Sequence, residues 1–147
     1  KSLLHTSTFG GGARACAVGL LTIGKIVEEE LWNRSRELGD YLLKGLITLK
    51  QSHKAIKEVR GKGLLIGIEF EKPIAGLLDA SLVAGDLLAD HRVITAYTLN
   101  NPNVMRLEPP LVVTKEEIDH VLNALEAVFS KKKGLLKMAV SAVTRRS

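Results

Sequence analysis

Between Ala13 and Ser52 apolar residues recur at steps of three and four: Ala17, Leu20, Leu21, Gly24, Val27 and Leu31, then Leu38, Leu42, Gly45, Leu46 and Leu49. This is helical periodicity. Unbroken, a helix over residues 13–52 would run about 60 Å, twice the width of a small domain. The polar run Asn33-Arg34-Ser35-Arg36 therefore predicts a break or kink between Asn33 and Gly39, giving two helices or one bent one. A helix that outgrows its own domain packs on something else. Upstream, Leu3 to Phe9 reads as extended chain, delivered through Gly10-Gly11-Gly12 into the helical stretch.

After Ser52-His53-Lys54 the pattern changes to strands, at residues 56–60 and 64–70, with Gly61-Lys62-Gly63 as a hairpin turn between them. Pro73 and Gly76 mark a loop, and Asp79 is a candidate N-cap for a helix over Ala80–Asp90 with Leu82, Val83, Leu87 and Leu88 inward. A third strand is predicted at 93–97 and a fourth at 104–107, stopped by Pro109-Pro110. Thr114-Lys115-Glu116-Glu117 is a capping box opening a helix through Ile118, Val121, Leu122, Leu125 and Phe129. Strands and helices interleave without repeats. The fold class is α/β: a two-layer sandwich of a short, largely antiparallel sheet covered by helices and preceded by a long connecting helix.

Several classes of function are set aside. The net charge of +5 is more than accounted for by Lys131, Lys132, Lys133, Lys137, Arg145 and Arg146, with no acid after Glu126. A basic tail without aromatic residues to stack on bases does not predict nucleic-acid binding. No apolar run approaches the length of a membrane span, and the first residues lack a signal-peptide pattern, so a cytoplasmic protein is expected. Cys16 is the single cysteine, and the four histidines are scattered, which leaves neither an internal disulfide nor a zinc site. His5, His53, His91 and His120 read as isolated packed or solvated residues, Cys16 as a small packed side chain, and Glu28-Glu29-Glu30 as helix surface. Asp79, Asp86 and Asp90 share one side of a helix, where a solvated face is preferred to a metal site. Lys62 reads as an exposed turn lysine.

Two features carry possible chemistry. Ser7 and Thr8, followed by Gly10-Gly11-Gly12 and a helix start, place hydroxyls and free backbone N–H groups where an anion such as phosphate binds. No Walker or dinucleotide fingerprint is present, and on spacing alone a plain glycine-rich turn remains the simpler reading. Strand alternation puts Arg106 on one face with Val104 and Glu108. Its guanidinium could bind a carboxylate through two parallel N–H···O bonds, or pair only with Glu108, and both readings stay open.

Taken in order, these segments resemble the C-terminal portion of a class III (ornithine/4-aminobutyrate type) aminotransferase, a fold-type I enzyme using pyridoxal 5′-phosphate. The resemblance spans residues 3–130. It rests on Ser7-Thr8-Phe9-Gly10-Gly11, Ala15-Cys16, Val59-Arg60-Gly61-Lys62-Gly63-Leu64, and Arg106-Leu107-Glu108-Pro109-Pro110-Leu111 before Thr114-Lys115-Glu116-Glu117-Ile118. Leu3-Leu4-His5-Thr6, Thr98-Leu99-Asn100-Asn101 and Arg106-Leu107-Glu108-Pro109-Pro110 are most similar to the bacterial putrescine aminotransferases.

The resemblance implies that residues 1–12 belong to a large cofactor-binding domain, 13–52 to the connecting helix or helices, 53–130 to a small C-terminal α/β domain, and 131–147 to a basic tail. It implies that Ser7 and Thr8 bind the cofactor phosphate of the neighbouring subunit, with Thr8 in direct contact, and that Arg106 holds the α-carboxylate of glutamate or 2-oxoglutarate. That role requires the Arg106 side chain to face a cavity shared with the amino-terminal segment. The family's catalytic lysine has no counterpart among these residues, so no catalytic residue is assigned and cofactor binding by this chain alone is not expected. Gly12-Ala13 stands where members usually carry Asn-Pro, which predicts a weaker helix start. The expected function is transfer of an amino group from a putrescine- or ornithine-like amine to 2-oxoglutarate by a homo-oligomer, without membrane or nucleic-acid partners. The alternative is a non-catalytic α/β ligand-binding or interaction module.

Overall fold

In a computed structural model residues 8, 10–71 and 80–144 are described, with side chains as far as residue 132. The helical stretch divides into α1 (Ala13–Glu28) and α2 (Leu31–Ser52). The break falls at Glu29 and Glu30, ahead of the expected Asn33–Gly39. Glu30 adopts a left-handed conformation with φ of 46°, and the Asn33 amide donates to its carbonyl at 2.8 Å. Three successive carboxylates at a helix C-terminus oppose both each other and the helix dipole, which ends the helix there.

The polar run after the break serves a different purpose. Arg34 Nη2 donates to the Val113 carbonyl at 2.7 Å, and Ser35 Oγ accepts the Leu64 amide at 3.2 Å. Its polarity marks contacts with distant loops, which local periodicity does not distinguish from a helix break.

The hairpin forms from β1 (Ile56–Lys62) and β2 (Leu65–Phe70), antiparallel, with Lys62 opposite Leu65. Gly63 and Leu64 make the turn, and Gly63 takes a positive φ of 55°. Helix α2 lies against this turn backbone to backbone. A Cβ added to Gly39 would stand 2.2 Å from the Gly63 carbonyl carbon and oxygen.

Helix α3 (Ala80–His91) buries Ala80, Val83 and Leu87. Leu82 and Leu88, expected to point inward, are exposed, because the three- and four-residue steps from Ala80 select the neighbouring stripe. Asp79 lies outside the described residues. The helix ends on Arg92 at φ 58°, where the Arg92 amide donates to the Leu88 carbonyl and the Val93 amide to that of Leu87. This paired closure is a Schellman motif built without glycine.

Strand β3 is shorter than expected, Ala96–Tyr97, and β4 is Val104–Leu107. The sheet runs β1-β2-β4-β3, antiparallel throughout. Helix α4 opens at the expected capping box: the Thr114 amide donates to Glu117 Oε2 at 2.8 Å and the Glu117 amide to Thr114 Oγ1 at 3.2 Å. It continues from Lys115 to Thr144, so much of the basic segment is carried on helix. Leu46, Ile66, Ile68, Phe70, Leu87, Met105, Ile118, Leu125 and Phe129 form one core joining α2, α3 and α4 to a single face of the sheet.

Candidate active-site face

With Ile66, Ile68 and Phe70 buried beneath the helices, alternation turns Leu65, Gly67 and Glu69 to the opposite face of β2. Register completes that face. Arg60 lies opposite Gly67 on β1, and Arg106 lies opposite Gly67 on β4. Two arginines thus flank a glycine in one row across three strands, on the side of the sheet away from the core.

Their pairings differ. Glu69 accepts from Lys57 Nζ at 2.7 Å and from Arg60 Nη1 at 2.8 Å, and Arg60 also reaches Glu58 at 3.0 Å. Arg106 contacts Glu108 at 3.4 Å, both side chains being nearly half exposed (47% and 45%). An exposed pair at that distance is weak and readily displaced. The ion pair with Glu108 that strand alternation allowed is therefore present, but it leaves the guanidinium accessible. Among the described residues a Cβ on Gly67 would meet Val104 Cγ1 at 3.5 Å and the Arg60 carbonyl at 3.9 Å, ordinary contacts that leave this position opposite Arg106 uncrowded.

The other candidates lie elsewhere. Thr8 sits exposed in the turn before α1, and Ser7 lies outside the described residues. Gly11 has a positive φ of 78°. Gly12 caps α1 without any side-chain hydrogen bond, in keeping with the weaker start expected where Asn-Pro is missing. The exposed hydroxyl and the uncapped amides beyond it suit an anionic group. No hydrogen bond or ion pair among the described residues joins Thr8 to Arg106, and Arg106 faces outward.

Several of the remaining candidates have polar partners. Asp86 pairs with Lys132 at 2.8 Å and Asp90 with Lys131 at 3.0 Å, tying α3 to α4. No group of residues able to hold a metal ion occurs among the described residues. His53 is buried against Phe129 and within 2.9 Å of Glu126 Oε2, a contact between distant segments that no local motif signals. His120 approaches the His91 carbonyl at 3.0 Å. Lys62 is exposed as expected, whereas Cys16, expected to be packed, is exposed on α1.

The ion pairs set an acid limit. Hydrogen bonds from Lys57 and then Arg60 hold the Glu69 carboxyl below the usual glutamate range, and Lys131 does the same for Asp90. Folded-state values below the unfolded ones, about 4.3 for Glu and 3.9 for Asp, mean that this stability is complete above those values and lost as pH falls through the folded ones. The melting temperature is expected to hold from pH 7 to 5 and fall below about pH 4.3, with a shallower fall in Glu69→Gln. Circular dichroism melts across this range check it.

A family model described as "Aminotransferase class-III" matches residues 1–129. The acetylornithine aminotransferase of Methanosarcina mazei is 44% identical over 122 residues, covering 83% of this chain and 28% of that protein. Ornithine aminotransferase 1 of Staphylococcus aureus is 42% identical over 126 residues, covering 85% and 29%. Among solved structures, the ornithine aminotransferase of Toxoplasma gondii superposes with a TM-score of 0.76 at 31% identity, over 93% of this chain and 31% of that one. A Bacillus anthracis aminotransferase gives 0.75 at 32%, over 87% and 30%. The chain spans less than a third of the length of these curated relatives. No helix among the described residues is long and apolar enough to cross a membrane.

Proposed function

The chain belongs to the class-III aminotransferases, and from that membership we propose that it serves a pyridoxal 5′-phosphate enzyme moving an amino group from a putrescine- or ornithine-like amine to 2-oxoglutarate. The observation that carries this reading is Arg106, a loosely paired guanidinium on the side of the sheet turned away from the core. Its planar fork binds and orients a substrate carboxylate through two parallel N–H···O bonds, which displace Glu108. Gly67 leaves room for that carboxylate to approach. The Thr8 hydroxyl, Ser7 and the uncapped amides at the start of α1 donate to the cofactor phosphate of a neighbouring subunit. Pyridoxal 5′-phosphate, when bound, supplies the electron-accepting ring that amino transfer requires. The lysine that anchors it is not among these residues, so the chain by itself is expected not to transaminate.

Arg106→Gln in the enzyme carrying this chain is expected to lower kcat/KM for 2-oxoglutarate by roughly 10- to 150-fold, from the 1.5–3 kcal/mol that hydrogen bonds to charged groups contribute. Melting temperature should not change, because the side chain is half exposed. An unchanged kcat/KM would leave the binding-module alternative in possession.

Association is part of the same reading. No residue of α1 is buried, and Val18, Leu20, Leu21, Ile23 and Val27 are 57–75% exposed. In the intact enzyme we infer that the rest of the protein covers this helix, and for the chain alone that a second copy does. Sedimentation at micromolar concentration should show an oligomer that Leu20→Glu with Leu21→Glu disperses; a wild-type monomer is the contrary result.

A further inference from the structure

Besides Glu108, which contacts Arg106 at 3.4 Å, Glu69 is a second acid placed to compete with a substrate carboxylate. It lies on the same face as Arg106, and register places it diagonally across from that residue: Gly67 is opposite Arg106, and Glu69 is opposite Val104. Diagonal neighbours of this kind lie about 7–8 Å apart, within reach of long side chains. Glu69 is also the least exposed carboxylate on this face, at 14% against 45% for Glu108 and 50% for Glu58. Less exposed charge is less screened, so a contact from Glu69 to Arg106 would be harder for a ligand to displace than the present contact from Glu108.

The structure withholds that contact. Lys57 Nζ and Arg60 Nη1 each take one oxygen of Glu69, Oε1 at 2.7 Å and Oε2 at 2.8 Å. Both donors come from β1, on the far side of β2 from Arg106. They draw the carboxylate away from β4. Arg60 itself is held between Glu58 and Glu69, so the row across Gly67 contains one committed guanidinium and one accessible one.

We propose that Lys57 and Arg60 are positioning residues that keep Glu69 off Arg106, leaving the latter open to a ligand carboxylate. The proposal rests on the assignment of Arg106 as the carboxylate anchor. Neither residue touches the ligand, and both act through Glu69. With them removed, Glu69 turns to Arg106 as an internal competitor. If it occupies Arg106 in nine molecules of ten, apparent affinity for the carboxylate falls about tenfold, in proportion to the competent fraction.

The test follows the Arg106 Nε–H signal in nitrogen-15 NMR of the enzyme carrying this chain, titrated with 2-oxoglutarate. Wild type should respond, and Arg106→Gln should abolish the saturable shifts in neighbouring amides. In Lys57→Gln/Arg60→Gln the half-saturation concentration should rise about tenfold. Adding Glu69→Gln to that pair should restore the wild-type value, which a merely structural role for the two cations would not allow. Without ligand, the double variant should also show slowed rotation about the Arg106 Nε–Cζ bond, reporting the new pair with Glu69. Lys57→Gln alone, which leaves Arg60 in place, should give a smaller change of the same sign and covers the case in which the double variant folds poorly. If wild type shows no Arg106 response, the carboxylate-anchor reading fails and takes this proposal with it. If wild type responds but the double variant binds equally well, or binds worse without recovery on Glu69→Gln, only this proposal is overturned.

Discussion

Gly39→Ala is expected to destabilise the chain by about 3 kcal/mol, the upper part of the range for overpacking, whereas Gly45→Ala in the same helix stays within about 1 kcal/mol of wild type. Both substitutions gain about 1 kcal/mol of helix propensity, so the difference reports what the new methyl meets. At position 39 it meets backbone: the Gly63 carbonyl carbon and oxygen at 2.2 Å. That carbonyl belongs to a turn whose conformation is fixed by the positive φ of Gly63 and by the Leu64 amide on Ser35. Relief requires moving α2 off the hairpin. At position 45 the methyl meets Leu122 Cδ1 at 2.4 Å, the far end of a flexible side chain that can rotate away. Urea denaturation of the two variants side by side is the measurement, and equal midpoints would show that the α2–hairpin contact yields as easily as a leucine rotamer.

Phe129→Ala carries the other large effect, about 3–5 kcal/mol for truncating a buried phenylalanine. Phe129 is 2% exposed and packs on two rings, Phe70 at 5.9 Å and His53 at 5.4 Å between centroids. It joins α4 to β2 and to the loop after α2. Its loss leaves a void in the core beside His53, which is itself only 5% exposed and depends on Glu126 for its polar contact. Leu88→Ala is the control. Leu88 is 54% exposed despite lying in an apolar stretch, and its truncation should cost less than about 0.5 kcal/mol. A similar loss in both variants would place Leu88 in the core and overturn the orientation of α3.

The elements that the sequence made legible are those written in local chemistry. The Thr114–Glu117 capping box and the alternation in 64–70 and 104–107 each depend on residues a few positions apart, and each recurs in the fold; the turn expected at Gly61-Lys62-Gly63 forms instead at Gly63 and Leu64, because Gly61 and Lys62 extend β1 in register with Ile66 and Leu65. What stayed hidden depends on partners far along the chain. Asn33 to Arg36 looked like a break because Arg34 and Ser35 are polar, yet Arg34 reaches Val113 and Ser35 holds Leu64. Leu82 and Leu88 looked inward because apolar side chains on a short helix do not declare which stripe meets the sheet. For the site, alternation sufficed to put Arg106 and Glu108 on one face, and the structure has them in contact. The clamp on Glu69 needed strand register, since Lys57 and Arg60 meet it only across the hairpin.

The sheet's two borders bear on how copies of this chain meet. One border is β1, where Lys57, Glu58, Arg60 and Lys62 crowd the rim with charge, and the other is β3, only Ala96 and Tyr97 long. A strand arriving at either would find mismatched charge or almost no ladder to join. Growth into a fibre by strand addition is therefore disfavoured at both borders among the described residues, which leaves the apolar face of α1 as the surface through which copies would meet.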